Sequence, residues 1–205
     1  PERLEAEGFL ACLSQVAVPF VTVDEAHCVS QWGQDFRPSY LRIRDFLASI
    51  PARPAVAAFT ATATAQVARD IVRLLDLREP EIVRTGYDRE NLYFAVETPR
   101  DKLAAVKAYV RQRSSRSGIV YCSTRKAVEQ VCEELCGAGI RATRYHAGLD
   151  EEERRQNQED FLCDLRPVMV ATNAFGMGID KSNVSYVVHF NMPKDLESYY
   201  QEAGR

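Results

Sequence analysis

The feature that most constrains this chain is the alternation of short, unbroken apolar runs with longer amphipathic segments. The runs lie at residues 18–23, 55–59, 118–122, 168–172 and 185–190. Most are continuous in Val, Ile, Ala and Phe instead of alternating apolar with polar, the pattern of strands covered on both faces. Helical stripes fall between them. Val67, Ile71, Leu74 and Leu75 form one, with Thr62 or Thr64 in position to cap its first turn. Val128, Val131, Cys132 and Leu135 form a second, which Gly137 or Gly139 can end. Asp150-Glu151-Glu152-Glu153 opens a third with acids where the helix dipole favours them. Repeated strand–helix units predict an α/β fold built on open, mostly parallel sheets. A polar stretch without a period, residues 85–91, interrupts the order and predicts two lobes, residues 1–88 and 89–205.

Chemistry should gather at the carboxyl ends of such strands. The run Phe20-Val21-Thr22-Val23 ends in Asp24-Glu25-Ala26-His27. Adjacent carboxylates there suit a Mg²⁺-nucleotide site. Asp24 can hold the metal, directly or through water, because Mg²⁺ prefers oxygen and keeps its waters. Glu25 can orient or deprotonate an attacking water. Two solvated acids at a turn are the plain alternative. The following stretch, from Cys28-Val29-Ser30-Gln31-Trp32-Gly33 to Gln34-Asp35-Phe36-Arg37-Pro38, holds the only tryptophan of the chain beside amides and an arginine. Rings can stack on single-stranded bases while guanidinium pairs with phosphate; Trp32 and Phe36 can equally be core anchors for the next helix. Charge gives no bulk signal for nucleic acid, since the formal net charge is -3. DNA contact must come from local groups.

These residues, taken in order, resemble the motor motifs of RecQ-family ATP-dependent DNA helicases of superfamily 2. Residues 24–38 are similar to motif II and the aromatic-rich loop, and Pro1-Glu2-Arg3-Leu4 looks like the end of an earlier motif. Ala58-Phe59-Thr60-Ala61-Thr62-Ala63 resembles motif III, and Val120-Tyr121-Cys122-Ser123-Thr124-Arg125-Lys126 resembles motif IV. Tyr145-His146-Ala147-Gly148-Leu149 matches the next signature, and residues 170–181 match motif V. Ser198-Tyr199-Tyr200-Gln201-Glu202-Ala203-Gly204-Arg205 resembles the opening of motif VI.

The resemblance implies two RecA-like lobes, the first incomplete, with ATP between them and DNA, single-stranded or at duplex junctions, crossing both. It implies ATP and Mg²⁺ as cofactors, 3′ to 5′ unwinding in recombination and repair, and a DEAH-box type motif II. It puts Mg²⁺ on Asp24, water activation on Glu25, and coupling on His27 and on motif III (Thr60, Thr62). DNA contacts fall on Ser30, Gln31, Trp32, Phe36 and Arg37. They continue with Ser123, Thr124 and Arg125, where free N–H groups at a strand–helix junction can bind phosphate. The glycine-containing loop Thr172, Asn173, Gly176 and Gly178 is the last DNA element. Asp180 is placed at the nucleotide, and Gln201 and Arg205 at the γ-phosphate.

The pattern also departs from the family. No phosphate-loop signature G-x-x-x-x-G-K-[ST] occurs, the family's second motif VI arginine and its zinc and winged-helix parts are absent, and Gln34 stands where the family has histidine. The 205 residues alone are therefore expected to be inactive, as part of a longer motor. The competing reading is a non-enzymatic DNA-binding or protein-interaction domain derived from a motor. A metallohydrolase fits poorly, because His27, His146 and His189 are dispersed. Six scattered cysteines read as reduced thiols and predict a cytoplasmic protein.

Overall fold

A computed structural model describes residues 1–13, 15–32, 36–61, 63–84, 86, 89–176 and 181–205, with residues 5 and 197 described by their backbone alone. Thr62, Gly33, Gln34, Asp35, Gly178 and Asp180 therefore lie outside the described residues. The chain divides into two units, Pro1–Asp88 and Arg89–Arg205.

In the first unit, α1 (Glu7–Leu13) precedes β1 (Phe20–Val23), followed by 3-10 turns over Ala26–Val29 and Pro38–Leu41. Then come α2 (Arg42–Ser49), β2 (Ala55–Ala58) and α3 (Ala65–Leu74). β1 and β2 pair in parallel, Phe20 against Ala55 and Val23 against Ala58. Of the two candidate caps, Thr64 takes the role, its Oγ1 accepting from the Val67 N–H at 3.3 Å. The stripe then buries Val67, Ile71 and Leu75 against Val23, Val29, Ile43 and Leu47.

The second unit opens with α4 (Lys102–Arg111), capped by Asp101, whose carboxylate accepts from the Leu103 and Ala104 N–H groups. It continues with β3 (Ser117–Tyr121), α5 (Arg125–Gly137), β4 (Ala142–Tyr145), α6 (Glu151–Leu162), β5 (Val168–Ala171), β6 (Val184–His189) and α7 (Leu196–Ala203). Thr124, Asp150 and Asp195 cap α5, α6 and α7. The sheet order is β4-β5-β3-β6, and every pairing is parallel. The central strands β3 and β5 are buried at every position. Gly118 is required in β3, because a Cβ there would stand 2.2 Å from the Tyr186 ring that packs over it. Burial pushes the Tyr186 hydroxyl up to about 12.

A polar rivet closes the amino edge of this sheet. Asp164, in the left-handed region at φ 58°, accepts from Ser117 Oγ at 2.6 Å, Lys181 Nζ at 2.8 Å and Asn183 Nδ2 at 3.0 Å. The hydrogen bonds from Lys181, Ser117 and Asn183, in that order of effect, hold its carboxyl down to about 2.

Two expectations need correction. β4 was not among the apolar runs, because Thr143 and Arg144 break its sequence; it is one of the two edge strands and, among the described residues, pairs with β5 alone. The first-unit strands are not covered on both faces either. Phe20 is 56% exposed, and β2 has no fully buried position. None of the six cysteines is in a disulfide, and Cys28, Cys122 and Cys132 are buried. Among the described residues, no helix is long and apolar enough to cross a membrane.

Candidate functional site

In the first unit the site sits at the carboxyl ends of the two parallel strands. The ladder continues past β1 and β2: the Phe59 N–H donates to the Val23 carbonyl, and the Ala26 N–H donates to the Phe59 carbonyl, each at 2.8 Å. These bonds set Asp24 and Glu25 beside Phe59 and Thr60. Asp24 is exposed, and its Oδ1 accepts from the Glu25 N–H at 2.8 Å. Glu25 occupies the left-handed region (φ 49°, ψ 43°). That conformation costs a non-glycine residue about 1–2 kcal/mol. It turns the chain sharply into the 3-10 turn that follows.

Glu25 Oε2 is buried without a hydrogen-bond partner, 3.3 Å from His27 Nδ1. His27 is itself buried, and its Nδ1 lies 2.9 Å from Thr60 Oγ1. The two strand ends, and with them motifs II and III, are joined through one imidazole. Tyr40 lies beneath, its hydroxyl donating to the Asp24 carbonyl at 3.3 Å. An exposed carboxylate beside an orphaned carboxylate oxygen is a hard donor set, which fits a magnesium-bound nucleotide.

The loop after Glu25 is pinned at its base, where the Arg37 N–H donates to the Cys28 carbonyl at 2.9 Å. Ser30 corrects the sequence reading. It is fully buried, donating to Asp70 Oδ2 at 2.7 Å and accepting from the Trp32 N–H at 3.1 Å. Its side chain supports the loop from within and does not reach the surface. Trp32 stands 74% exposed, so it is no core anchor. Gln31 is exposed as well, and Phe36 and Arg37 are half-buried. Asp70, buried on α3 and held by Gln66 and Arg73 as well as Ser30, was missed. An acid one helical step from Val67 and Ile71, on the face that meets the core, was the signal that could have found it.

The second unit gathers its candidates at the carboxyl edge of the four-stranded sheet. Ser123, Thr124 and Arg125 follow β3 and are exposed, while Thr172 and Asn173 follow β5. The Ser123 N–H is not free, since it donates to Asn191 Oδ1 at 3.2 Å. Thr124 Oγ1 is committed to the Ala127 N–H at 3.1 Å. At this helix start the Arg125 and Lys126 N–H groups are left without an intrahelical acceptor. The aliphatic stem of Arg125 packs against Gly148, where a Cβ would meet Arg125 Cδ and His146 Nδ1, each at 3.1 Å. His146 is buried, with Nε2 2.7 Å from Glu129 Oε1 and Nδ1 accepting from the Gly148 N–H at 3.1 Å.

Gly176 also departs from expectation. It is buried at φ 135°, and a Cβ there would lie 3.0 Å from Arg205 Nε and 3.1 Å from the Tyr121 hydroxyl. Its carbonyl accepts from the Arg205 guanidinium, so its backbone is not open to a ligand. Arg205, expected at a γ-phosphate, is folded onto this loop in the present conformation, and Gln201 is half-buried on α7. Two further residues were missed: His189, with Nε2 2.9 Å from Glu202 Oε2, and Glu202 itself. Their pairing joins the end of β6 to α7 and has no signature in local spacing.

Comparison with known proteins places this geometry. Residues 101–205 match the helicase conserved C-terminal domain. The ATP-dependent DNA helicase RecQ of Bacillus subtilis is 48% identical over the whole chain, which spans 35% of that protein. RecQ of Pasteurella multocida is 42% identical, again over the whole chain and 32% of the relative. The ATP-dependent helicase SGS1 of Saccharomyces cerevisiae is 42% identical over 99% of the chain and 14% of its own length. The chain thus spans about a third of the bacterial relatives it matches. Among solved structures, S. cerevisiae Dbp5 bound to RNA and ADP BeF3 superposes with a TM-score of 0.75 at 20% identity, covering 96% of this chain and 53% of that one, a likeness of fold. Two parallel α/β units, the first with adjacent acids at a strand end, matched along the whole chain by these sequences, show that the chain belongs to the RecQ family of superfamily 2 helicases.

Proposed function

We propose that this chain forms part of the motor of an ATP-dependent DNA helicase, with residues 1–88 contributing to a first RecA-like lobe and residues 89–205 to a second. The observation that carries the reading is the Asp24–Glu25 pair at a parallel strand end, joined through His27 to Thr60. Magnesium-bound ATP would supply the phosphoryl group that water attacks. Asp24 holds the metal, directly or through water, and Glu25 takes the proton of the attacking water, its strained backbone aiming the carboxylate. Trp32, Gln31, Phe36 and Arg37 meet single-stranded DNA in the first unit. Arg125, with Thr124, and the Thr172-Asn173 loop meet it in the second. Asp180, outside the described residues, together with Gln201 and Arg205, serves the nucleotide once Arg205 leaves the Gly176 carbonyl. Translocation runs 3′ to 5′, in support of recombination and repair.

The test uses the complete gene product. Glu25→Gln should keep nucleotide binding and lower DNA-stimulated hydrolysis by about 10²–10⁴, the scale of losing a general base. Asp24→Ala should weaken Mg²⁺-dependent nucleotide binding instead. Hydrolysis at the parental rate in both variants would overturn the assignment and favour a binding module derived from a motor.

A further inference from the structure

In the second unit, the loop after β5 and the end of α7 are joined by a buried run of side chains whose mutual contacts no motif announces. Glu202 and His189 are both about nine-tenths buried, at 12% and 10% side-chain exposure, and their polar atoms meet at 2.9 Å. The His189 ring stacks on Tyr121, with centroids 5.8 Å apart and planes 19° from parallel, and it also touches Tyr199 at 4.9 Å. Tyr121 is 2% exposed, and its hydroxyl donates to the Phe175 carbonyl at 2.9 Å. The next carbonyl along, that of Gly176, accepts from Arg205. Two adjacent peptide groups of the loop are therefore gripped at once, one from β3 and one from the residue just beyond the α7 cap.

We propose that Glu202, His189 and Tyr121 form a positioning relay that ties the α7 segment bearing Gln201 and Arg205 to the loop bearing Thr172 and Asn173. If α7 shifts, Glu202 carries His189 with it, His189 slides against Tyr121, and the Tyr121 hydroxyl moves the Phe175 peptide. Gly176 makes the second connection possible, since a side chain there would displace Arg205 and the Tyr121 hydroxyl together. Burial strengthens each link, because hydrogen bonds away from water are less screened and an unmade one is costly. The relay residues touch neither ligand; they set how faithfully motion at one end is reported at the other. This inference rests on the reading above, in which the loop serves DNA and Gln201 and Arg205 serve the nucleotide.

The experiment measures ATP hydrolysis by the complete gene product with and without single-stranded DNA, alongside DNA affinity and thermal melting. Tyr121→Phe keeps the ring and removes the grip on Phe175; Glu202→Ala removes the other end. Each should lower DNA-stimulated kcat about tenfold, the scale of one buried hydrogen bond, while KM for ATP, DNA affinity and the unstimulated rate stay within about twofold. Glu202→Gln, whose amide oxygen can still accept from His189, should recover most of the stimulation. Stimulation unchanged in Tyr121→Phe and Glu202→Ala would overturn the relay alone. So would basal and stimulated rates falling together with the melting temperature, without rescue by glutamine. A parental protein that DNA does not stimulate would overturn the relay together with the function it rests on.

Discussion

The two units write their strands in the same apolar alphabet and bury them differently. In the second unit, β3 has a neighbour on each side, and every residue from Ser117 to Tyr121 is buried. In the first, β1 and β2 have only each other among the described residues, and of their eight positions Val23 alone is fully buried. Continuous hydrophobicity reports what a strand can tolerate on its faces, while the number of layers around it decides what is covered. The functional groups follow the same division. The first unit exposes Asp24, Gln31 and Trp32 on a lightly built edge. The second keeps His146, His189 and Glu202 inside and exposes Ser123, Thr124 and Arg125 at the end of β3.

Core truncation in each unit carries the largest stability effect and puts this contrast to the test. Ile119→Ala removes a side chain that is 1% exposed in the centre of the larger sheet and should cost about 2–5 kcal/mol. Val21→Ala, at a half-buried position of β1, should cost about 1 kcal/mol or less. Denaturant melts of the two variants decide the matter; equal costs would mean that the first unit is as tightly cored as the second.

A smaller effect should appear at the amino edge of the second sheet. Asp164 titrates well below an unfolded aspartate, near about 2 against roughly 3.9. Its carboxylate therefore favours the folded state above the unfolded value, and that contribution is lost as pH falls through the folded one. Compared with Asp164→Asn, the parental chain should be the more stable at neutral pH, and the gap should close between about pH 4 and pH 2. Thermal melts across that window check it; a gap that is constant, or that widens towards acid, would contradict the rivet.

Much of this was legible beforehand, for reasons that can be named. Thr64 caps its helix because its short side chain reaches back to the nearby Val67 N–H, a purely local matter. Asp24 and Glu25 were legible because an apolar run ended on them. β4 was not, since an edge strand tolerates Thr143 and Arg144. Nor was Ser30, whose burial depends on Asp70 forty residues away. The pairs His189–Glu202 and Tyr121–Phe175 close across separate elements, so only the assembled sheet reveals them. In both units sequence located the strand ends that carry the candidate residues, and the fold determined which of those side chains are exposed.

Trp32 tests the account most directly, because a ring that is 74% exposed has little packing to lose, whereas a loop that senses DNA has much. In the complete gene product, Trp32→Ala should melt within about 1 kcal/mol of the parental protein, as surface changes do. Its basal ATP hydrolysis should be retained while stimulation by single-stranded DNA collapses. A variant that melts early and keeps the parental ratio of stimulated to basal rate would contradict the account.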